Sequence, residues 1–258
     1  LKFEASKVVK HKDGDYYYLP VSQELSAKKI EEASTFMGVD LGINFLAVAS
    51  TTDKKCKFFA VGEIKNKRNV YKNMRLRLQS KGALSAKRMV KHLASKEKCL
   101  ITDVNHCIFK AIVKFAVENG VSVIGLEDLI GIRDRTNNNL RKKQKCFHNN
   151  WAFYQLQQFI EYEAKSSEII KGYVNYEYTS KACCRCNCIS KNNRSGVKFL
   201  CKVCGFELNA DLNGARNIEY RTRDTMYILD SQGCLSATNA DNMIRFIRDI
   251  HACYFTSR

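Results

Sequence analysis

No run of about 18 or more apolar residues occurs in this 258-residue sequence, so no membrane-spanning helix is expected. Leu1 to Gly14 is charged throughout and lacks the apolar core of a secretory signal, which predicts a soluble, intracellular protein. No internal repeat is present, and with 45% hydrophobic and 10% aromatic residues nothing reads as disordered. Acidic residues are the scarce class: 26 Asp+Glu stand against 43 Lys+Arg, for a formal net charge of +17. That is far more than solubility requires, and the acidic partner it points to is nucleic acid. The chain opens at Leu1 inside an alternating stretch, so it is expected to be the C-terminal portion of a larger protein.

The basic charge is unevenly spread. Residues 65–98 hold 12 basic residues and one acid, Glu97. Lys65, Lys67, Arg68, Lys72, Arg75, Arg77, Lys87 and Arg88 are the candidate phosphate contacts there. The plainer alternative is a solvated basic helix. A second cluster, Arg133, Arg135, Arg141, Lys142, Lys143 and Lys145, surrounds the polar stretch Thr136 to Asn139 and reads as a phosphate-seeking loop.

Hydrophobic periodicity predicts a mixed α/β fold. Two extended runs flank Asp13-Gly14, a hairpin pair. Phe36 to Ala49 gives two apolar strands about a glycine, with a third at Lys57 to Val61. Val70, Met74 and Leu78, then Met89 and Leu93, predict two basic amphipathic helices broken at Lys81-Gly82. A further helix, Asn105 to Glu118, stops at Asn119-Gly120, and a buried strand, Val121 to Glu127, follows. A long helix over about Asn149 to Lys171 and a strand at Tyr173 to Tyr178 then lead to a cysteine cluster. Met243 to Ile250 can form a short helix.

Twelve cysteines without a secretory context imply reduced thiols, with a metal site where they crowd; six lie between Cys183 and Cys204. Cys183-x-x-Cys186 and Cys201-x-x-Cys204 offer four thiolates for tetrahedral zinc, although the spacer is one residue below the usual range. Asn187 and Gly205 follow the two knuckles and tolerate the left-handed backbone a knuckle demands. Cys184 and Cys188 are rival ligands at a wider, less symmetric spacing. A four-thiolate site has no open position, so its zinc is expected to be structural.

Three acids sit where acids are costly: Asp40 and Glu127 at the ends of apolar strands, and Asp211 at the start of a helix that Asn209 would cap. Singly, each also reads as a capped or ion-paired carboxylate. Together they suit phosphodiester hydrolysis by two Mg²⁺ or Mn²⁺ ions, which needs oxygen ligands holding the metals about 3.5 to 4 Å apart. Strand alternation separates Glu127 from Asp128, so only one of those two can join the group.

Four strings carry a family resemblance: Gly38-Val-Asp-Leu-Gly42, Gly125-Leu-Glu-Asp-Leu129, Thr179-Ser-Lys-Ala-Cys183 with its knuckles, and Asn209-Ala-Asp-Leu-Asn-Gly-Ala-Arg-Asn-Ile218. Asp103-Val-Asn-His106 and Trp151 match more weakly. In this order the chain resembles the TnpB (OrfB zinc-ribbon) transposon-associated RNA-guided nucleases, kin of the miniature type V CRISPR effectors and the Fanzors. The resemblance implies an RNase H-like RuvC nuclease domain with an inserted zinc ribbon. It places a catalytic, magnesium-binding triad on Asp40, Glu127 and Asp211, with zinc on Cys183, Cys186, Cys201 and Cys204. It also implies guide RNA and target DNA as partners, with Arg216 and the basic segments on their phosphates.

The domains implied are the end of a β-rich, wedge-like domain at 1–34, a nuclease domain at 35–178 with a basic helical insertion at 64–98, a ribbon at 179–208, and the final nuclease helix and tail at 209–258. Such a protein would serve transposon maintenance in the cytoplasm, nucleoid-associated, or in the nucleus of a eukaryote. Cys184, Asn187 and Gly214 depart from the family's common residues, yet none removes a ligand. The other class of function open to this sequence is a non-cleaving DNA- or RNA-binding accessory protein or regulator.

Overall fold

The computed structural model describes residues 9–10, 17–18, 34–42, 44–60, 62–128 and 152–231. Arg133, Arg135, Arg141, Lys142, Lys143, Lys145, Trp151 and the Met243 to Ile250 segment lie outside the described residues. The two-residue strands β1 (Val9–Lys10) and β2 (Tyr17–Tyr18) pair antiparallel, as a hairpin about Asp13-Gly14 requires.

Three consecutive strands, β3 (Phe36–Asp40), β4 (Phe45–Thr51) and β5 (Cys56–Ala60), form the expected antiparallel meander. On the other side of β3, β6 (Val123–Glu127) and β7 (Ile170–Val174) add in parallel, giving the order β5-β4-β3-β6-β7. Parallel strands need helical crossovers, and helices covering both faces explain why β3 and β6 are apolar along nearly their whole length.

Met37, Val39, Ile124 and Leu126 face one way, into a core with Ile112 of α2 (Leu84–Glu118) and Leu156 and Ile160 of α3 (Phe153–Ser166). The intervening residues, Gly38 and Gly125, face a last helix, α4 (Ala210–Ser231). By the same alternation Asp40 and Glu127 share that second face.

Gly38, Gly125 and Gly172 lie in register on three neighbouring strands. A Cβ at Gly38 would collide with the backbone of Ala215 and Glu219; one at Gly125 would collide with Thr222 Oγ1, and one at Gly172 would press on Thr222 Cγ2 at 3.1 Å. The three glycines therefore cut a groove across the sheet in which α4 lies flush. The segment leading to Gly172 differs from the expected helix over about Asn149 to Lys171 and strand at Tyr173 to Tyr178. Instead α3 stops at Ser166, the chain turns at Glu168 (φ 56°), and β7 starts at Ile170, ahead of the expected Tyr173. Tyr178, expected inside that strand, takes a left-handed φ of 60° in the following turn.

The helical segment differs from expectation in two ways. α1 (Gly62–Ser80) and α2 do break at Lys81-Gly82, with Gly82 at φ 67°. Beyond that break α2 runs without interruption for 35 residues to the Asn119-Gly120 stop, because no glycine or proline interrupts it and buried Leu93, Ile101, Ile108, Ile112 and Ala116 form one continuous stripe. Secondly, Val70 and Met74 are exposed. The face that α1 turns to α2 is instead polar: Arg68 and Arg75, one heptad apart, both pair with buried Glu97. Among the described residues no helix is long and apolar enough to cross a membrane.

The cysteine segment forms a three-stranded antiparallel unit, β8 (Arg194–Ser195), β9 (Lys198–Leu200) and β10 (Glu207–Asn209), in the order β10-β9-β8. It runs directly into α4.

Candidate functional site

Three carboxylates lie toward the α4 face of the sheet, with Glu127 and Asp211 near enough for their charges to act on Asp40. Asp40 comes from the C-terminal end of β3, Glu127 from that of β6, and Asp211 from the first turn of α4. Asn209 fixes that first turn: its Oδ1 accepts from the amides of Asp211 at 2.9 Å and Leu212 at 3.2 Å, the expected cap. The Asp40 carboxylate lies against Gly214, where a Cβ would stand 2.9 Å from Oδ2. Burial, then the charges of Glu127 and Asp211, push the Asp40 carboxyl well above its ordinary range, while Arg194 opposes the shift. Burial also raises Glu127, against the Thr179 hydrogen bond and the charges of Arg221 and Arg194.

Glu127 and Asp211 are each held at one oxygen. Thr179 Oγ1 donates to Glu127 Oε1 at 2.5 Å, and the Gln157 amide donates to the Glu127 carbonyl at 2.7 Å. Arg194 on β8 reaches back to Asp211 Oδ1 at 2.8 Å. Asp211 is 3% exposed, and its Oδ2 is buried with no hydrogen-bond partner. An orphaned, buried carboxylate oxygen beside two further acids is costly unless a cation meets it. This donor set of hard oxygens fits Mg²⁺ or Mn²⁺.

The Sγ atoms of Cys183, Cys186, Cys201 and Cys204 all lie within 4.8 Å of one another. Cys183 and Cys204 are 3.7 Å apart and Cys186 and Cys201 3.5 Å, close to the roughly 3.8 Å between sulfurs of a tetrahedral site with 2.3 Å zinc bonds. Both knuckles turn as expected: Asn187 (φ 57°) donates to the Cys183 carbonyl at 2.8 Å and Gly205 (φ 68°) to that of Cys201 at 3.0 Å. The amide hydrogens of Cys204 and Val203, the first the stronger, help bring the Cys201 thiol down to about 6, which favours a thiolate. Cys184 and Cys188 stay outside this group.

α4 also carries the ribbon. Asn213 Nδ2 donates to the Ala182 carbonyl at 2.8 Å, and Asn217 Nδ2 donates to those of Thr179 and Ala182 at 2.7 and 2.8 Å. The same helix thus presents Asp211, seats on the glycine groove and braces Thr179, which holds Glu127. Sequence reasoning assigned no role to Arg194, Gln157, Asn213 or Asn217. The two asparagines, one turn apart and next to apolar Leu212 and Ile218, carried a signal, since buried amides need partners. Arg194 carried none, because a ribbon turn brings it to Asp211 from 17 residues away.

Of the expected phosphate contacts, Arg68 is buried and, like Arg75, engaged by Glu97. Lys67, Lys72, Arg77, Lys87 and Arg88 are exposed on α1 and α2, Lys65 belongs to α1, and Arg216 lies half-buried on α4.

Residues 17–133 match the OrfB_IS605 family model, described as "Probable transposase", and residues 153–218 match one described as "Cas12f1-like, TNB domain". A CRISPR-associated endodeoxyribonuclease Cas12f1 of Sulfoacidibacillus thermotolerans is 29% identical over 228 residues, covering 83% of this chain and 52% of that protein. A TnpB-like protein of Methanocaldococcus jannaschii is 32% identical over 145 residues, covering 55% of this chain and 50% of that protein. A cryo-EM structure of a Cas12f1–sgRNA–target DNA complex shares the fold, with a TM-score of 0.60 at 20% identity over 73% of this chain and 50% of that one. The chain thus spans about half the length of these relatives. The chain is thus similar to the OrfB_IS605 proteins over residues 17–133 and to the Cas12f1-like proteins over residues 153–218, in that order, with relatives of both TnpB-like and Cas12f1 names.

Proposed function

We propose that this chain is the nuclease portion of an RNA-guided, divalent-metal-dependent DNA endonuclease of TnpB type, associated with transposon maintenance. On this reading the sheet and α4 are an RNase H-like, RuvC-type domain, the cysteine unit is its inserted zinc ribbon, and guide RNA and target DNA are its partners. One observation carries the proposal: the charges of Glu127 and Asp211, from two other elements, act on buried Asp40, and the buried Asp211 Oδ2 has no partner. The endodeoxyribonuclease name of the Cas12f1 relative supports the DNA substrate, and the sgRNA and target DNA in the Cas12f1 complex support the partners.

Two bound Mg²⁺ or Mn²⁺ ions would supply an activated water and offset charge on the phosphodiester. Asp40, Glu127 and Asp211 would be the carboxylates that hold them. Thr179 keeps Glu127 in one orientation by occupying Oε1. Arg194, bonded to Asp211 Oδ1, leaves Oδ2 as the oxygen without a partner and puts a cation beside the acids. Gly214 leaves the space the Asp40 carboxylate occupies.

Asp211→Ala is expected to abolish DNA cutting by the protein purified with its bound RNA while leaving the amount of copurifying RNA unchanged. Cutting at the wild-type rate would remove Asp211 from the centre.

Zinc on the four thiolates would tie the ribbon to α4. A structural zinc site contributes folding free energy directly. Cys201→Ser should therefore lower both the zinc content per chain and the melting temperature. Equal zinc and equal melting in the two proteins would contradict a structural zinc.

A further inference from the structure

Between the first cysteine knuckle, the β4–β5 turn and the outer flank of α4 lies a cavity of about 260 Å³. We propose that this cavity is an anion site, separate from the carboxylate centre, that takes a backbone phosphate of the bound nucleic-acid strand. The proposal rests on the nucleic-acid reading above but not on cleavage.

The wall carries four cations, Lys54, Arg185, Arg216 and Arg223, against one carboxylate, Glu219. Glu219 is already engaged, accepting from Thr52 Oγ1 at 3.2 Å and lying 3.8 Å from Arg223. Lys54, Arg185 and Arg216 meet no carboxylate within ion-pair distance among the described residues. Arg216 Nε is buried and lacks a hydrogen-bond partner, an orphaned donor on the cavity wall. A buried donor left unpaired costs about 1–3 kcal/mol, and a phosphate oxygen would satisfy it.

The other two guanidiniums are pre-oriented. Arg185 lies over the Phe206 ring at 5.9 Å and Arg223 over Tyr220 at 4.6 Å. A cation–π contact restrains a guanidinium while leaving its N–H groups available to an anion. Lys54 sits exposed in the β4–β5 turn, in a left-handed conformation (φ 63°) with its amide on the Thr51 carbonyl at 2.8 Å.

Position argues for a strand rather than a free ion. Arg216, Glu219, Tyr220 and Arg223 form one stripe of α4, roughly a third of a turn around the helix from Asp211 and nearly half a turn from Gly214. The middle of that stripe is about 12 Å along the axis from Asp211 at 1.5 Å per residue. A strand whose phosphodiester lay at the carboxylates would bring another phosphate near the cavity a few nucleotides away. The cavity is also larger than a phosphate needs, leaving space for the attached sugar.

The test uses the full zinc-loaded chain and two labelled single strands of one sequence, DNA and RNA, with affinity measured across a salt series. The variants are Lys54→Gln, chosen because it is exposed and safe for folding, and Lys54→Gln with Arg216→Gln. Lys114→Gln, on the exposed face of α2, is the control. Loss of one phosphate contact should flatten the slope of log K against log salt by about 0.7. The double variant should do this and bind several-fold more weakly, with zinc content unchanged and the control like wild type.

Loss for DNA alone would assign the cavity to a DNA strand, and loss for RNA alone to the guide; either supports the site. Wild-type slopes for both variants on both strands would overturn it. So would inorganic phosphate binding at the cavity without any change in strand binding. A wild-type chain that binds both strands but never cuts would sink only the nuclease reading.

Discussion

Gly38→Ala is expected to cost the fold about 3 kcal/mol or more, at the upper end for an overpacked core. The added methyl would fall inside contact distance of the Ala215 carbonyl oxygen and the Glu219 amide, both backbone atoms of α4, so no side-chain rotation relieves it. α4 must lift from the sheet, and Asp211, on its first turn, must leave Asp40. Stability and cutting should fall together, read as melting temperature and as cleavage by the surviving folded fraction. Gly125→Ala provides the contrast, because its clash is with the Thr222 side chain. Adding Thr222→Ala should restore much of the loss at Gly125 and none at Gly38. Wild-type melting for Gly38→Ala would refute the groove.

Asp40→Asn should act in opposite directions on stability and activity. With zinc retained and no Mg²⁺ or Mn²⁺ present, burial and the neighbouring charges of Glu127 and Asp211 favour the protonated carboxyl of Asp40. A carboxyl whose folded pKa lies above its unfolded value near 3.9 contributes most below that value, and the contribution is lost as pH rises through the folded pKa. The metal-free wild type should therefore melt below Asp40→Asn at neutral pH, with the gap closing as pH falls toward about 4. Mn²⁺ should raise the wild type and leave the variant nearly unmoved. In the cleavage assay the variant should lose about a thousandfold, the scale seen when one preorganised electrostatic group is removed. A melting difference independent of pH would show that Asp40 does not sit among competing charges.

The strands were legible because period-two alternation and turn chemistry are local. Phe36 to Ala49 announces two apolar strands, and the same alternation that buries Met37 and Val39 puts Asp40 with Gly38 on the α4 face. The cysteine group was equally local, since knuckle spacing with Asn187 and Gly205 specifies both turns and ligands. Lys-rich α1 misled for a physical reason. Nothing in the run from Lys65 to Lys98 marks Arg68 and Arg75 as interior except the lone acid Glu97, whose burial demands cationic partners. Gly172 read as a break because its reason to be glycine is Thr222, fifty residues later. Arg194 and Thr179 reach the carboxylates through tertiary contacts, so no periodicity announces them.

The central claim is that Asp40, Glu127 and Asp211 form one metal-dependent centre that cuts DNA. It is tested most directly by the protein expressed from its whole reading frame, purified with its bound RNA, and offered matched duplex DNA with and without Mg²⁺. Mg²⁺-dependent cleavage is expected of the wild type and none of Asp40→Ala. Wild type and Asp40→Ala behaving identically in Mg²⁺ would contradict it.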